Sequence, residues 1–319
     1  MSAPLNRLIL AGGSGFLGRA LAEYFLGRNW EVVILTRRPK ESITSARQII
    51  WDGCRVGPWQ REVDGATAVV NLTGKSVNCR YTPKNQKEII DSRVDSTRVL
   101  GEAISGCINP PKVWINASTA TIYKHTYGPA MGEAGEIGAT AEAKDAFSIK
   151  VAEAWEKAFF ETITPATRKT AMRTAMVLGH GENSVFPMLR HLTRLRLGGR
   201  MGDGRQYVSW VHEIDFCRAV EWLINHEELK GPINIGAPTP VPNAEMMRIL
   251  RRLSGVRLGL PATKWMLELG ALFLRTETEL IIKSRRVVSP ALLASGFEFQ
   301  FTCMEKVFQD LIQNHPAGK

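Results

Sequence analysis

The chain has 319 residues, 44% of them hydrophobic and 23% charged, and a formal net charge of +10. This composition is typical of globular proteins and excludes a disordered chain. The length suits a large α/β domain with an appended part. Lysine and arginine form no run longer than pairs such as Arg251-Arg252. We therefore interpret the positive charge as a solvated basic surface and predict neither a nucleic-acid nor a membrane partner.

The five cysteines are widely spaced and form no C-x-x-C or Cys/His cluster, so we predict no zinc site and no disulfide framework. They are Cys54, Cys79, Cys107, Cys217 and Cys303. We expect most of them to be buried thiols in a reducing compartment, which favours a cytoplasmic location. The first predicted strand begins within a few residues of Met1, so we expect no signal peptide. No apolar run reaches the roughly 18 residues of a membrane span.

A glycine-rich turn follows the first predicted strand, 8–11, and precedes a helical pattern over 15–28. Gly12 can adopt backbone angles that a side chain forbids. Gly15 allows close approach of a pyrophosphate, and Gly18 allows the helix to pack on the strand. The helix N-terminus offers unpaired N–H groups to phosphates. This arrangement predicts a dinucleotide site at the turn residues Gly12, Gly13, Ser14, Gly15, Phe16 and Leu17.

The second predicted strand, 31–35, ends at Thr36-Arg37-Arg38. In dinucleotide-binding folds an acidic residue here accepts the ribose 2′-OH. A carboxylate would repel a 2′-phosphate, whereas guanidinium groups bind one in a bidentate manner. The sequence therefore favours NADP(H) over NAD(H). The alternative is that Arg37 and Arg38 belong only to a solvated loop.

Further strand and helix patterns alternate along the first half of the chain, which predicts a doubly wound parallel sheet of the Rossmann type. Strands are predicted at 48–51 and 68–72, followed by a long helix over 83–105. Because strand carboxyl ends line the ligand crevice, Leu72, Thr73 and Gly74 should border the cofactor.

The fifth predicted strand, 113–117, runs into several hydroxyl side chains that include Ser118 and Thr119. Hydroxyl groups at the carboxyl end of a central strand are placed for chemistry, although they are also common turn residues. We predict a loop to about 141, a helix over 143–160 and a sixth strand over 171–177.

Beyond Gly181 we predict a helix over 185–197, a strand over 207–211, a helix that opens near His212, and a strand over 232–236. Asn243 is predicted to cap a helix over 244–253. The tail, 255–312, has a mostly helical pattern. We divide the chain into an NADP(H)-binding domain over 1–180 with returns at 205–236, substrate-domain segments over 181–254, and a C-terminal helical domain over 255–319.

Several of these segments together resemble the extended short-chain dehydrogenase/reductase superfamily, which includes sugar-nucleotide epimerases. They are the glycine turn, Val70-Asn71-Leu72-Thr73-Gly74, Ser118-Thr119-Ala120-Thr121-Ile122-Tyr123 and Trp210-Val211-His212-Glu213-Ile214-Asp215. A closer resemblance is to its atypical branch, the epimerase family. It rests on Asp91-Ser92-Arg93-Val94-Asp95-Ser96-Thr97, Ala154-Trp155-Glu156, Arg173-Thr174-Ala175-Met176-Val177-Leu178-Gly179, and Val287-Val288-Ser289-Pro290 with Gly296-Phe297-Glu298-Phe299.

This resemblance covers nearly the whole chain and implies NADP(H) binding, a short helical C-terminal domain and an unknown substrate. It implies pyrophosphate contacts at the glycine turn and 2′-phosphate contacts at Thr36, Arg37 and Arg38. It also implies cofactor contacts for Leu72 and Thr73, for Glu88 and Arg93 on the long helix, and for Val177 near the nicotinamide. Thr119 matches the hydroxyl residue that bonds the substrate oxygen.

The chain departs from this superfamily at its Tyr-x-x-x-Lys pair, which exchanges a proton with the substrate hydroxyl. Lys150 lies on the appropriate predicted helix, but Ala146 stands four residues before it. Tyr123 could substitute, because it leaves the same strand end as Thr119. The alternative is a packed tyrosine with a bonded hydroxyl.

Two further sets of residues have alternative interpretations. His212 could shuttle a proton, but a residue at a helix start more often caps that helix, and we favour capping. Arg200, Arg205 and Gln206 lie in a glycine-rich stretch and could contact an anionic substrate.

Two functions remain compatible with these residues. The first is an NADP(H)-dependent oxidoreductase or epimerase acting on a small molecule, with Thr119 and Tyr123 as candidate catalytic residues. The second is a non-catalytic NADP(H)-binding protein that reports redox state to a partner, which the missing Tyr-x-x-x-Lys pair favours. A nucleic-acid binder would depend on net charge alone and ranks last. By analogy with the superfamily, the helices at 83–105 and 143–160 could form a homodimer.

Overall fold

The computed structural model describes residues 6–39, 46–181, 183–263, 266 and 282–314. The part of the tail prediction that falls on 264–265, 267–281 and 315–319 lies outside the described residues. The strands are β1 (Arg7–Ala11), β2 (Glu31–Thr36), β3 (Arg47–Ile50), β4 (Ala68–Asn71), β5 (Val113–Thr119), β6 (Arg168–Thr174), β7 (Met176–Leu178), β8 (Tyr207–Val208), β9 (Trp210–His212), β10 (Gly231–Ile235) and β11 (Val241–Pro242).

Helices alternate with these strands along most of the chain. They are α1 (Phe16–Leu26), α2 (Gln60–Val63), α3 (Pro83–Ser105), α4 (Ala146–Glu161), α5 (Val185–Arg194), α6 (Glu213–Asn225), α7 (Asn243–Leu253), α8 (Pro290–Ala294) and α9 (Met304–Gln313). A 3₁₀ turn, Ala120–Ile122, follows β5. The predicted helix over 83–105 is confirmed at both ends, with Thr82 as its N-cap and Pro83 in the first turn.

Seven of the strands form one parallel sheet in the order β10-β6-β5-β4-β1-β2-β3. Successive side chains of each strand point to opposite faces of the sheet. Helices pack on both faces and bury these side chains. Leu8 and Leu10 pack into a core with α1 and α6, whereas Ile9 and Ala11 pack into a second core on the opposite face with α3. The Rossmann prediction is therefore confirmed.

The direction in which strands are added reverses between β1 and β4, so a crevice opens at their carboxyl ends. The residues that follow β1, β2, β4 and β5 converge there. The amide side chain of Asn71, which is fully buried at the end of β4, donates to Asn116 Oδ1 at 2.7 Å. Asn71 Oδ1 accepts from the N–H of Thr73 at 3.0 Å and fixes the turn that leaves the strand.

A smaller, separate core lies in the C-terminal half. It contains Phe186 of α5, Met246 and Leu250 of α7, and Val307 and Phe308 of α9. Helices α8 and α9 pack against other parts of the chain. Helix α9 lies in this smaller core, and α8 contributes Leu292 to the core that also contains α1 and α6.

The structure corrects several predicted boundaries. The strand predicted over 171–177 is interrupted at Ala175. Before this residue β6 pairs with β10, and after it β7 pairs with β9. The strand predicted over 207–211 divides at Ser209, whose hydroxyl bonds to the C-terminal segment. The helix predicted over 143–160 begins at Ala146, and the helix predicted over 185–197 ends at Arg194.

Two residue-level expectations are also wrong. Asn243 is the first residue of α7 and not its cap, because its side chain accepts from the N–H of Met201 at 2.8 Å. Of the five cysteines, only Cys217 is buried; Cys54 is exposed and the other three are half-buried. Within the described residues, no helix is both long and apolar enough to cross a membrane.

Candidate functional site

The glycine turn after β1 has the geometry that its sequence predicts. Gly12 has φ +74°, and a Cβ there would lie 2.8 Å from Thr73 Cα. A Cβ at Gly18 would lie 2.3 Å from Gly13 Cα, so only glycine allows α1 to pack this closely. A Cβ at Gly15 would meet nothing within 4 Å. Gly12 and Gly18 are therefore required by the packing of the protein, whereas Gly15 faces open space.

A cleft of about 450 Å³ lies above the carboxyl ends of the strands. It runs from the uncapped N-terminus of α1 to the end of β5. Of the predicted site residues, Gly12, Gly15, Phe16, Leu17, Leu72, Arg93, Ser118 and Thr119 line it. The other lining residues were not among the predicted site residues; they are Gly18, Ser76, Val77, Tyr81, Ala117, Thr121, Phe147, Ser148, Val151, Trp155 and Asn183.

The end of β2 brings basic residues beside the glycine turn. The buried Thr36 hydroxyl lies 3.3 Å from Ser14 Oγ and accepts from the N–H of Arg38 at 3.3 Å. The side chains of Arg37 and Arg38 are exposed, and neither forms an ion pair with a residue that the structure describes. This geometry suits a 2′-phosphate, which guanidinium groups bind well.

Arg93 is a cation in the wall of the cleft. Its Nη1 donates to the carbonyls of Ile89 at 2.9 Å and Lys75 at 3.0 Å, and its guanidinium lies 4.9 Å from the centre of the Trp155 ring. No acidic side chain among the described residues pairs with it. Desolvation lowers the pKa of Arg93 to about 10, and the opposing influence comes from Tyr81. A partly buried cation without a carboxylate partner is ready to receive an anion.

The remaining predicted cofactor residues lie around the cleft without lining it. The Thr73 backbone packs against Gly12, and its buried hydroxyl has no hydrogen-bond partner in the described part of the chain. Gly74 packs against the Arg93 guanidinium. Glu88 does not line the cleft and forms an ion pair with Lys75. Val177 packs at the edge of the core that contains α1 and α6.

The hydroxyls at the end of β5 differ in what they can offer a ligand. Thr119 Oγ1 accepts from the N–H of Thr121 at 3.1 Å, so its own hydrogen can still be donated. The buried Ser118 hydroxyl donates to Glu156 Oε1 at 2.6 Å. Thr119 can therefore bind a substrate oxygen, whereas the Ser118 hydrogen is committed to the protein.

Behind β5 lies a buried set of side chains, which we call the Arg173 network: Ser118, Tyr123, Glu156, Arg173 and Asn234. Arg173 donates to both carboxylate oxygens of Glu156 at 2.8 Å and to the Tyr123 hydroxyl at 3.0 Å. Tyr123 is fully buried and donates to Asn234 Oδ1 at 2.7 Å. Burial raises the pKa of Tyr123. Tyr123 is thus the packed tyrosine that the sequence left as the alternative, and its hydroxyl is not presented to the cleft.

On α4, the cleft-facing residues at a spacing of four are Phe147 and Val151. Ala146 and Lys150, the positions that the sequence suggested for the Tyr-x-x-x-Lys pair, are both exposed. The helix therefore places a phenyl ring and an isopropyl group where proton-transfer groups were sought. Tyr81 also lines the cleft, and its ring packs edge-on against that of Phe147 with 4.6 Å between the ring centroids.

A second cavity, of about 200 Å³, adjoins the end of β5. Thr119 and Thr121 line both this cavity and the larger cleft, and Arg285 of the C-terminal segment lines the cavity. Arg200 and Arg205, which the sequence suggested for anion binding, are exposed and line neither space. Gln206 is buried and donates to the carbonyl of Met201 at 2.8 Å.

His212 caps α6, as we favoured from its position. Its Nδ1 accepts from the N–H of Ile214 at 3.1 Å, and its Nε2 lies 3.2 Å from Asp310 Oδ2. The ring stacks on Phe301 at 3.9 Å between centroids. The carboxylate of Asp215 accepts from the N–H groups of Gln300 and Phe301 and so ties α6 to the C-terminal segment.

Tyr81, Arg285 and the aromatic wall of the cleft were missed because no local pattern marks them. Each lies far in sequence from the glycine turn and reaches the site only through tertiary packing. The motif Ala154-Trp155-Glu156 was noticed, but its positions relative to the cleft were not predictable: Trp155 lines the cleft and Glu156 lies in the Arg173 network.

The chain is similar to known proteins over almost its full length. A model of the NAD dependent epimerase/dehydratase family matches residues 8–236, and a domain of unknown function, DUF1731, matches residues 262–311. The human epimerase family protein SDR39U1 is 28% identical over 309 residues, which cover 96% of this chain and 99% of the human one. The epimerase family protein YfhF of Bacillus subtilis is 27% identical over 308 residues, or 96% and 97% of the two chains.

A crystal structure of human SDR39U1 with NADPH superimposes on this fold with a TM-score of 0.83. The two sequences are 26% identical, and the match covers 97% of this chain and 99% of that one. The family model spans well over half of this chain. The chain therefore belongs to the NAD dependent epimerase/dehydratase family.

Proposed function

We propose that this protein is an NADP(H)-dependent oxidoreductase that reduces a carbonyl group of a small molecule, or oxidises the corresponding hydroxyl. One observation carries this proposal: a single cleft joins the phosphate-binding turn at Gly12 to the hydroxyl of Thr119. Binding groups for a dinucleotide and for a substrate oxygen therefore lie within one space. The NADPH in the structure of the human relative supports the cofactor assignment.

The residues of the cleft fit NADP(H). The open space at Gly15 and the N–H groups of α1 suit the pyrophosphate. Arg93 would supply a positive charge that has no acidic partner among the described residues. Arg37 and Arg38 would hold the 2′-phosphate. When bound, NADPH supplies a hydride from its nicotinamide ring.

Thr119 would position and polarise the substrate carbonyl. Its oxygen is held by the Thr121 N–H, so its hydrogen can point to the substrate oxygen. A donor aimed at developing negative charge lowers the barrier to hydride addition. Tyr81 is our candidate for the proton donor, because it lines the same cleft and interacts electrostatically with Arg93.

The test combines substitutions at Thr119 with separate measurements of binding and turnover. The oxidation of NADPH is followed by absorbance over a panel of small aldehydes, ketones and oxo acids. We expect Thr119→Val to lower kcat/KM by about 100-fold and to leave NADPH affinity unchanged. Thr119→Ser keeps the hydroxyl and should retain most of the activity. Full activity in Thr119→Val would contradict the assignment.

A second candidate function is supported by the apolar pair on α4. With Phe147 and Val151 facing the cleft and Tyr123 buried, the protein could bind NADP(H) without turnover and report its redox state. In that case NADPH and NADP⁺ would both bind, no member of the panel would be reduced, and protease sensitivity would differ between the two complexes. NADPH oxidation above the rate without protein would exclude this second function.

A further inference from the structure

We propose that the protein binds the surface of a membrane that contains anionic phospholipids, through an exposed face at the end of α5. This face, which we call the Arg194 surface, consists of Arg194, Leu195, Arg196, Leu197, Leu258 and Leu260. These residues line neither the cofactor cleft nor the cavity at the end of β5. The inference therefore goes beyond the proposed function and does not depend on turnover.

Two stretches that are far apart in the sequence form this surface. The N–H of Leu260 donates to the carbonyl of Arg196 at 2.7 Å, and the carbonyl of Leu260 accepts from the N–H of Gly199 at 3.1 Å. Arg251 Nη1 donates to the carbonyl of Gly198 at 2.6 Å. The sequence favours no membrane partner because its basic residues are scattered, but the fold brings some of them together on one face.

The Arg194 surface exposes aliphatic side chains. Its four leucines, Leu195, Leu197, Leu258 and Leu260, are 55%, 45%, 73% and 63% exposed. Met188, which precedes Leu195 by two helical turns, is also exposed. Single exposed leucines are common on proteins, whereas adjacent ones mark a site that meets an apolar partner.

The same surface is positively charged. The stretches 185–202 and 256–263 contain no aspartate or glutamate. Their arginines are Arg190, Arg194, Arg196, Arg200 and Arg257. Arg194 and Arg196 are exposed, and neither forms an ion pair with a residue that the structure describes. An anionic partner would therefore find cations here that no carboxylate of these stretches neutralises.

Arg190 and Arg194 repel each other beside the leucines. Arg190 Nη1 is buried and has no hydrogen-bond partner in the described chain. Desolvation and, after it, the charge of Arg194 lower the pKa of Arg190. A lipid phosphate bound near these two side chains would supply an acceptor and a negative charge, and would relieve both effects.

Arg196 adopts a backbone conformation that is usual for glycine. Its φ is +64°, and it follows Leu195, the C-cap of α5. The N–H groups of Arg196 and Leu197 donate to the carbonyls of Thr193 and Leu192 at 2.9 Å each, which is the common C-terminal turn of a helix. Glycine normally stands at this position because other residues are disfavoured there. The chain thus carries a cation on the Arg194 surface in spite of a backbone cost.

An anionic membrane surface fits these features better than other partners. Leucine side chains can enter the boundary between lipid headgroups and acyl chains while arginines bind the phosphates. Nucleic acid would use the arginines but leave the leucines in water, and the two stretches expose no aromatic ring for base stacking. A second copy of the chain would bring like charges together across a twofold axis.

Vesicle flotation with the full chain tests this proposal. Vesicles of phosphatidylcholine alone are compared with vesicles in which about one lipid in three is phosphatidylglycerol. We expect the protein to bind the anionic vesicles at least about tenfold more tightly than the neutral ones, and added salt to weaken this binding. Equal binding to both kinds of vesicle, or binding to neither, would overturn the proposal.

Charge variants locate the binding face. The double variant Arg194→Glu and Arg196→Glu should lose at least about tenfold in affinity for the anionic vesicles. Arg61→Glu with Arg98→Glu makes the same change of charge at exposed positions of α2 and α3 and should bind like the wild type. Equal losses in the two double variants would show that only net charge matters and would contradict the proposed face.

Arg196→Gly distinguishes a binding defect from a folding defect. It removes the cation and also the left-handed arginine, so it should raise the melting temperature while it lowers vesicle affinity by about fivefold. A weaker interaction in a more stable protein cannot come from unfolding. Unchanged vesicle affinity in Arg196→Gly and in Arg194→Glu with Arg196→Glu would overturn the proposal.

Leucine variants test the apolar contact. Leu258→Ser with Leu260→Ser should also reduce binding to anionic vesicles, whereas Ile108→Ser, at a side chain that is 88% exposed elsewhere, should not. Full binding of the double leucine variant would mean that the leucines do not enter the lipid. Binding of a DNA duplex in place of vesicles, or a dimer that the leucine substitutions dissociate, would assign the surface to another partner and overturn the proposal.

Discussion

The wall of the cleft and the Arg173 network behind it each enclose an arginine, in opposite electrostatic settings. Burial lowers the pKa of Arg173, but the hydrogen bonds and charge of Glu156 outweigh this effect and leave the pKa above its ordinary value. Desolvation lowers the pKa of Arg93, which has no carboxylate partner in the described chain. The first cation is neutralised by Glu156 within the protein. We propose that the second binds an anionic group of the cofactor.

The hydroxyl groups of the two regions show the same difference between satisfied and available hydrogen-bonding groups. The Tyr123 hydroxyl and the Ser118 hydrogen are satisfied within the Arg173 network. Thr119 and Gly15 line the cleft, and because Thr119 Oγ1 only accepts a hydrogen bond, its hydrogen can still be donated. Substitution of groups whose hydrogen bonds are satisfied within the protein should lower stability. Substitution of groups that line the cleft should weaken ligand binding.

The largest effect on stability is expected at Glu156. Glu156→Gln removes the negative charge from the buried pair and should lower the free energy of unfolding by about 3–5 kcal/mol. Urea denaturation measures this change. Glu102→Gln, the same substitution at an exposed position of α3, is the control and should leave stability unaltered. A small effect of Glu156→Gln would mean that the Arg173 network does not stabilise the fold.

Substitutions at Gly12 and Gly15 should have different effects, one on the stability of the protein and the other on NADPH binding. Gly12→Ala places a Cβ 2.8 Å from Thr73 Cα at a φ of +74°, which should cost more than the roughly 1–2 kcal/mol of a left-handed alanine. Gly15→Ala has space for its methyl group and should fold normally, but it should weaken NADPH binding because the methyl group would occupy the phosphate position. Thermal melting and fluorescence titration measure the two effects. Equal effects of both substitutions on melting temperature would refute the distinction.

Arg93→Met is expected to weaken NADPH binding by at least about tenfold through loss of the cation. The unliganded protein should be at least as stable as the wild type, because the substitution removes a desolvated charge that has no acidic partner in the described residues. Affinity comes from calorimetry and stability from urea denaturation of the unliganded protein. A loss of stability like that of Glu156→Gln would show that Arg93 also serves the fold.

The smallest expected effect concerns pH and His212. Burial lowers the pKa of His212, and the nearby carboxylates of Asp310 and Asp215 only partly oppose this. The folded state therefore favours the neutral ring, and its contribution to stability is present above pH about 6.5 and lost as pH falls below it. His212→Asn keeps a capping side chain and should reduce the loss of stability between pH 7 and pH 5, as measured by denaturation. His191→Asn, at an exposed position, should not.

The glycine turn, where we propose that the cofactor binds, could be predicted from sequence because its signals are local. A strand, three glycines and a helix start are contiguous, so Gly12, Gly15 and Gly18 reveal the turn directly. The doubly wound sheet followed from the same alternation of patterns. Boundaries at Ala175 and Ser209 were missed because a change of strand partner has no signature in the residues themselves.

The surroundings of Thr119 could not be predicted in the same way. Arg285 lies more than a hundred residues from Thr119 and reaches the cavity through hydrogen bonds to Thr121 and Ser209. Arg205 was a candidate by sequence, yet it is exposed and does not line the cavity. Tyr123 leaves the same strand end as Thr119, but the 3₁₀ turn between them directs its ring into the core.

The 2′-phosphate site is tested most directly by calorimetric titration of NADPH and NADH into the wild type, Arg37→Glu and the surface control Arg257→Glu. We expect the wild type and the control to bind NADPH at least about tenfold more tightly than NADH, because a guanidinium group would hold the 2′-phosphate. Arg37→Glu should lose most of its affinity for NADPH and keep its affinity for NADH. Equal affinity of the wild type for both dinucleotides would contradict the 2′-phosphate site, and failure to bind either would contradict the assignment of the cleft.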